Sequence, residues 1–163
     1  TFEGGQRVPC VMWGPGRIPA GTECGELAGT IDLLPTIAAL TKVPLPEGRK
    51  IDGVDISALL TTDAGSPRNE FVYYTSQGVI EGLRQGKWEL LVKKPRRPKG
   101  KGKATAEPAA PEILLFDLST DPGEQTNLAS SHSDLVADLT KRMLELDAEI
   151  ETNARAPWVK GEE

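Results

Sequence analysis

The chain has 163 residues, 38% of them apolar and 26% charged, with a formal net charge of -5. That composition belongs to an ordinary folded domain, and no apolar run approaches the ~18 residues of a membrane-spanning helix. Seven of the 19 basic residues fall between Lys93 and Lys103, leaving 12 against 24 acidic ones elsewhere. An acidic body whose basic run holds no aromatic residue is the wrong surface for a nucleic acid.

The chain opens on Thr1-Phe2-Glu3-Gly4-Gly5 without an initiator Met, and we expect it to be a segment of a longer polypeptide. Val8 to Trp13 reads V-P-C-V-M-W, nearly continuous in apolar residues. A run of that kind predicts a strand covered on both faces, as in an α/β sheet, with Pro9 at its start because proline cannot donate to a ladder. The two cysteines, Cys10 and Cys24, are too few for a disulfide framework and lack metal-site spacing. They are either buried free thiols or one bridge, and the apolar setting of Cys10 favours thiols. Asp32 to Leu40 predicts a short helix, capped by Asp32 and carrying Pro35 in its first turn, where a missing N–H costs little. Residues 43–69 are rich in Pro, Gly and Asp and read as a connection, with one helical turn around Ile56 to Leu60.

From Glu70 the pattern turns to β. Phe71 to Thr75, Val79 to Arg84, Lys87 to Lys93 and Ile113 to Leu118 predict four strands, with Trp88, Leu90 and Val92 on one face. Gln85-Gly86-Lys87 makes a hairpin turn. Residues 94–112 form a Lys/Pro/Gly/Ala insertion unable to bury a core. Asp121-Pro122-Gly123-Glu124 suits a type II turn with positive φ at Gly123. Leu135, Val136, Leu139, Met143, Leu146 and Ile150 then share one face of a long helix, with Ser131 and Asp134 in a capping arrangement at its start. The predicted architecture is an α/β remnant over 1–65, followed over 66–163 by a small four-stranded antiparallel sheet with one long C-terminal helix.

Four stretches together resemble the type I sulfatases, arylsulfatase-like members of the alkaline-phosphatase superfamily. Thr1 to Pro9 with Trp13 to Ile18 is similar to the pattern E-G-G-x-R-x-P…P-G-x-I. Thr30 to Thr36 is similar to D-x-x-P-T, and Ile51 to Asp55 to I-D-G-x-D. Leu83 to Leu90 resembles the hairpin R-x-G-K-W-K-L, and Leu115 to Leu128 resembles L-Y-D-L…D-P-x-E…N-L. The resemblance implies an alkaline-phosphatase-like α/β domain ahead of the small sheet. It implies sulfuric ester hydrolysis by a formylglycine made from Cys or Ser in C/S-x-P-x-R, with a carboxylate-bound calcium in the parent. A charged sulfur centre needs such a cation, and basic groups, to offset developing charge.

Neither Cys10 nor Cys24 sits in that motif, so this chain by itself is expected to lack the nucleophile, the metal ligands and any cofactor. Glu3, Gly4, Gly5 and Arg7 are candidates for bracing the loop beside the active site, the glycines by permitting a tight turn. Arg84 and Lys87 are candidates for the substrate cleft, against the plainer role of hairpin residues with Trp88 in the core. His132, at a helix N-terminus where positive charge is disfavoured, reads as a surface residue. The resemblance further implies the missing N-terminal portion as partner, a sulfated small molecule or glycan as the parent's substrate, and an exported or lysosomal location. Two other functions stay open: a phosphoryl-transfer or phosphonate hydrolase of the same superfamily, and a non-catalytic module that binds anionic glycans through the basic run.

Overall fold

The computed structural model describes residues 2–62, 64–93 and 110–154. A single helical turn, α1 (Glu3–Gln6), is followed by irregular chain interrupted by turns. A 3-10 turn, Thr30–Asp32, leads into α2 (Leu33–Thr41), and α3 (Ser57–Thr61) is the short turn expected near Ile56. Four strands follow, β1 (Glu70–Tyr74), β2 (Ile80–Gln85), β3 (Trp88–Lys93) and β4 (Glu112–Asp117), and then α4 (Ser133–Thr152). They form one antiparallel sheet in the order β1-β2-β3-β4, a meander in which each strand pairs with its sequence neighbour. The insertion expected over 94–112 lies outside the described residues from 94 to 109, and its last residue, Glu112, already belongs to β4.

Alternation divides the sheet into two faces. One carries Leu83, Leu90 and Leu115, all fully buried against Leu139 and Met143 of α4, with Trp88 and Val92 packed beside them. The helical stripe and the Trp88/Leu90/Val92 face therefore meet as the spacing predicts. The other face carries Tyr73, Leu91 and Phe116, with Phe71 and Leu114 alongside. The β2–β3 connection is a two-residue turn with Gly86 at φ 57°, a backbone shape that glycine adopts at no steric cost.

The outer edge of β4 is covered by its own downstream loop. Asn127 accepts from the Leu115 amide and donates to the Ile113 carbonyl, and the Leu128 amide donates to the Leu115 carbonyl. Ladder groups that would stand open on an edge strand are satisfied by the N-L pair of the fourth motif. Asp121 organises the preceding turn by accepting from the Gln125 and Thr126 amides, both at 2.8 Å. That turn is not type II: the positive φ, 54°, falls on Glu124 and not on Gly123.

The expectations for Val8 to Trp13 and for Cys10 fail for one shared reason, and two expected helix caps fail separately. No strand forms at Val8 to Trp13; Val11 is 94% exposed and Trp13 86%. A strand of that type exists only when neighbours complete its ladder, and no other strand among the described residues precedes β1. Cys10 is accordingly exposed, not buried, as is Cys24, and both are free thiols. Asp32 does precede α2 but makes no side-chain cap. The α4 N-cap is His132, with no capping hydrogen bond, while Ser131 closes a separate 3-10 turn, Ala129–Ser131. The His132 ring is half-buried against Trp88, with centroids 5.3 Å apart.

Candidate functional site

Asp32 is used as a cross-link. Its carboxylate is fully buried and accepts from the Gly29 and Val54 amides, both at 2.8 Å, and from Nε and Nη2 of Arg68. Burial by itself would raise the Asp32 pKa, but the Arg68 guanidinium and the two amides hold it below the usual carboxylate range. Thr36, one turn on, accepts from the Ile56 amide at 3.0 Å. The D-x-x-P-T and I-D-G-x-D motifs are thereby tied into one unit, and both are linked to the residues just ahead of β1. Gly53 sits at the closest approach: a Cβ there would lie 2.0 Å from the Ile31 carbonyl oxygen.

A second polar cluster lies on the sheet face away from α4. Glu3 is buried, 5% exposed. Its Oε1 accepts from the Tyr73 hydroxyl at 3.0 Å and from Arg84 Nη1 at 3.1 Å, and its amide donates to Glu124 Oε2 at 2.9 Å. Arg84 also donates through Nε to the Gly86 carbonyl. Tyr73 is pushed far above the usual phenol range, first by burial and then by the charges of Glu3 and Glu89, so it stays a neutral donor. Glu89 stands directly opposite Arg84 across β2–β3, fully buried, and neither of its oxygens has a partner among the described residues. Its pKa is raised, first by burial and then by Glu124 and Glu3, with Arg84 opposing.

Of the sequence candidates, Glu3 and Arg84 come together here and the others do not. Gly4 and Gly5 lie inside α1 at ordinary helical φ, exposed, and a methyl added at either position would meet nothing within 4 Å. The tight turn expected of them is a plain helical one. Arg7 is exposed and among the described residues has no side-chain partner. Lys87 pairs with Asp117 at 2.6 Å and lies over the Trp88 ring, 4.8 Å from its centroid. Tyr73, Glu89 and Glu124 were missed because a strand tyrosine and two acidic residues in hairpin and turn carry no local signal. Only their convergence on Glu3, 121 positions from Glu124, gives them a role.

No protein-family model matches the chain. It is 37% identical to bovine arylsulfatase A over 161 residues, which is 90% of this chain and 31% of that protein. Against human arylsulfatase A the identity is 39% over 142 residues, 78% of the chain and 27% of that protein. The chain belongs to the sulfatases. It corresponds to the C-terminal part of that family and spans under a third of the length of these relatives. Solved structures agree on the fold: the PsFucS1 sulfatase from Pseudoalteromonas sp. superposes over 81% of this chain and 28% of its own, with TM-score 0.62 at 19% identity. The structure of BT4656 in complex with its substrate D-glucosamine-2-N,6-O-disulfate superposes over 85% of this chain and 28% of its own, with TM-score 0.59 at 18% identity. What the chain contributes to that shared fold is a four-stranded antiparallel sheet followed by a C-terminal helix. No helix among the described residues is long and apolar enough to cross a membrane.

Proposed function

We propose that this chain is the C-terminal segment of a sulfuric ester hydrolase whose nucleophile and metal ligands belong to the portion preceding it. The observation that carries this is the distribution of exposed apolar side chains. Ten of the thirteen large exposed hydrophobics in the described residues precede residue 46, from Phe2 to Leu45. Apolar surface concentrated in one third of a chain marks a face built to be covered, and the run at Val8 to Trp13 has the composition of an interior strand whose neighbours lie elsewhere. Residues 1–65 thus read as the end of the catalytic α/β domain and 66–163 as the terminal subdomain.

Within this picture Glu3 and Arg84 have a positioning role. Arg84 is committed to Glu3 and to the Gly86 carbonyl, which leaves no free fork for a substrate sulfate. Its task is to seat the E-G-G segment on the sheet, so that whatever precedes Thr1 enters at a defined angle. Lys87, committed to Asp117, belongs to the subdomain's own packing.

A divalent cation such as calcium would supply charge neutralisation at the sulfate oxygens. No group of three or more His, Cys, Asp or Glu among the described residues is arranged to hold one. The Glu3/Glu89/Glu124 cluster does not fit it either, since the Arg84 guanidinium already pairs with Glu3 there. The substrate, a sulfated small molecule or glycan, and the exported or lysosomal setting rest on the kinship with arylsulfatase A. The test is to compare this 163-residue chain with the polypeptide encoded together with its upstream sequence, on aryl sulfate and aryl phosphate esters with calcium present. Sulfate release by the longer protein alone is expected. Turnover by the chain alone would overturn the assignment, and preference for the phosphate ester would move the parent to the phosphoryl-transfer branch.

A further inference from the structure

Glu89 poses a problem of charge that the fold solves in one direction. It is 0% exposed, and neither of its oxygens meets a donor among the described residues; Glu124 Oε1 shares that condition. Fully ionised, the cluster would hold three carboxylates, Glu3, Glu89 and Glu124, against the single guanidinium of Arg84, whose Nη1 is already on Glu3. A buried carboxylate with no donor is an unfavourable state, and neutralisation by a proton is its usual resolution. The Glu124 carboxyl lies within side-chain hydrogen-bond reach of Glu89, so one O–H on Glu89 also supplies a donor to a carboxyl that has an unpartnered oxygen.

The geometry points to a proton-dependent clasp: protonated Glu89 donates to Glu124, and the paired acids keep Glu3, and with it α1, seated on the sheet. The groups facing Glu89 are Glu3 from α1, Tyr73 from β1, Arg84 from β2 and Glu124 from the loop after β4; its cross-strand neighbour on β4 is the apolar Phe116. Lys93, further along the same face of β3, stands over the Phe2 ring 3.1 Å from its centroid. Tyr73 donates to Glu3, and Arg84 is divided between Glu3 and the Gly86 carbonyl. Glu89 also occupies the position where the hairpin pattern R-x-G-K-W-K-L has its second lysine. A cation there would satisfy Glu3 and Glu124 directly; a carboxyl does so only while it keeps its proton. Because the clasped state binds the proton more tightly than the open state, clasping is favoured below the ordinary carboxylate range and weakens as pH rises toward the folded-state value. The α1 segment is then released by three mutually repelling carboxylates. The clasp is a property of this chain and does not depend on sulfatase activity.

The test is hydrogen exchange at the Glu3 amide, which donates to Glu124, measured on the 163-residue chain from pH 5.5 to 8.5 and corrected for intrinsic rates. In the wild type the opening constant should grow by up to about tenfold per pH unit, the signature of one linked proton. In Glu89→Gln and Glu89→Lys it should be flat. Equal slopes in wild type and Glu89→Gln would overturn the clasp. If those variants do not fold, the carboxyl-carbon shift of Glu89 in the wild type decides. A protonated shift held through neutral pH supports the clasp, and a midpoint near the ordinary value of about 4.3 refutes it.

Discussion

Asp32→Asn should unlatch residues 29–68 while leaving the sheet folded. The carboxylate it replaces is fully buried and accepts from two amides and from two nitrogens of Arg68. Asparagine has nearly the same shape but keeps one acceptor oxygen and presents an N–H donor in place of the other. One edge of the fork then sets donor against donor, and the Arg68 side chain, only 9% exposed, is left without its counter-ion. Removing one partner of a buried pair costs about 3–5 kcal/mol. At about 1.4 kcal/mol per tenfold change, local opening should become at least roughly a hundredfold more frequent. Hydrogen exchange at the Val54 amide, which donates to Asp32 Oδ1, reads that opening directly, with the amides of Leu90 and Leu115 in the sheet as internal controls. The pH dependence provides a second check. The folded-state pKa of Asp32 lies below its ordinary value, so its stabilisation is present above the unfolded pKa and is lost as pH falls through the lower folded one. The variant should lack that acid-side loss. Unchanged Val54 protection in Asp32→Asn, with the sheet intact, would refute the cross-link.

Gly53→Ala should destabilise the same unit by about 1–3 kcal/mol or more, the cost of overpacking, because its methyl meets backbone at the Ile31 carbonyl. Thermal unfolding checks this, and an unshifted midpoint would show that the two loops separate freely. Both cysteines of the native chain should react with a thiol reagent at the rate of a model thiol, since both are exposed and free. Protection of either until unfolding would restore the buried-thiol expectation.

The four strands, their turns and the amphipathic face of α4 were legible in the residues because each rests on local information. Period-two alternation, Gly86 at the hairpin and the Leu/Met spacing decide the geometry of neighbours a few positions apart. The ordered motifs carried the kinship without disclosing their own contacts, since Glu3 and Asp32 bond to residues far along the chain. What only the folded chain decided involves partners distant in sequence. Asp32 has the position of a helix cap, yet Val54 and Arg68 arrive from 22 and 36 residues away and take its carboxylate. Glu89 alternates correctly for a strand, and nothing nearby announces that Glu3 and Glu124 will close over it. Val8 to Trp13 shows the converse. Its apolar composition encodes a strand, but a ladder needs two sides, so the segment stays irregular and exposed where the described residues offer it no neighbouring strand.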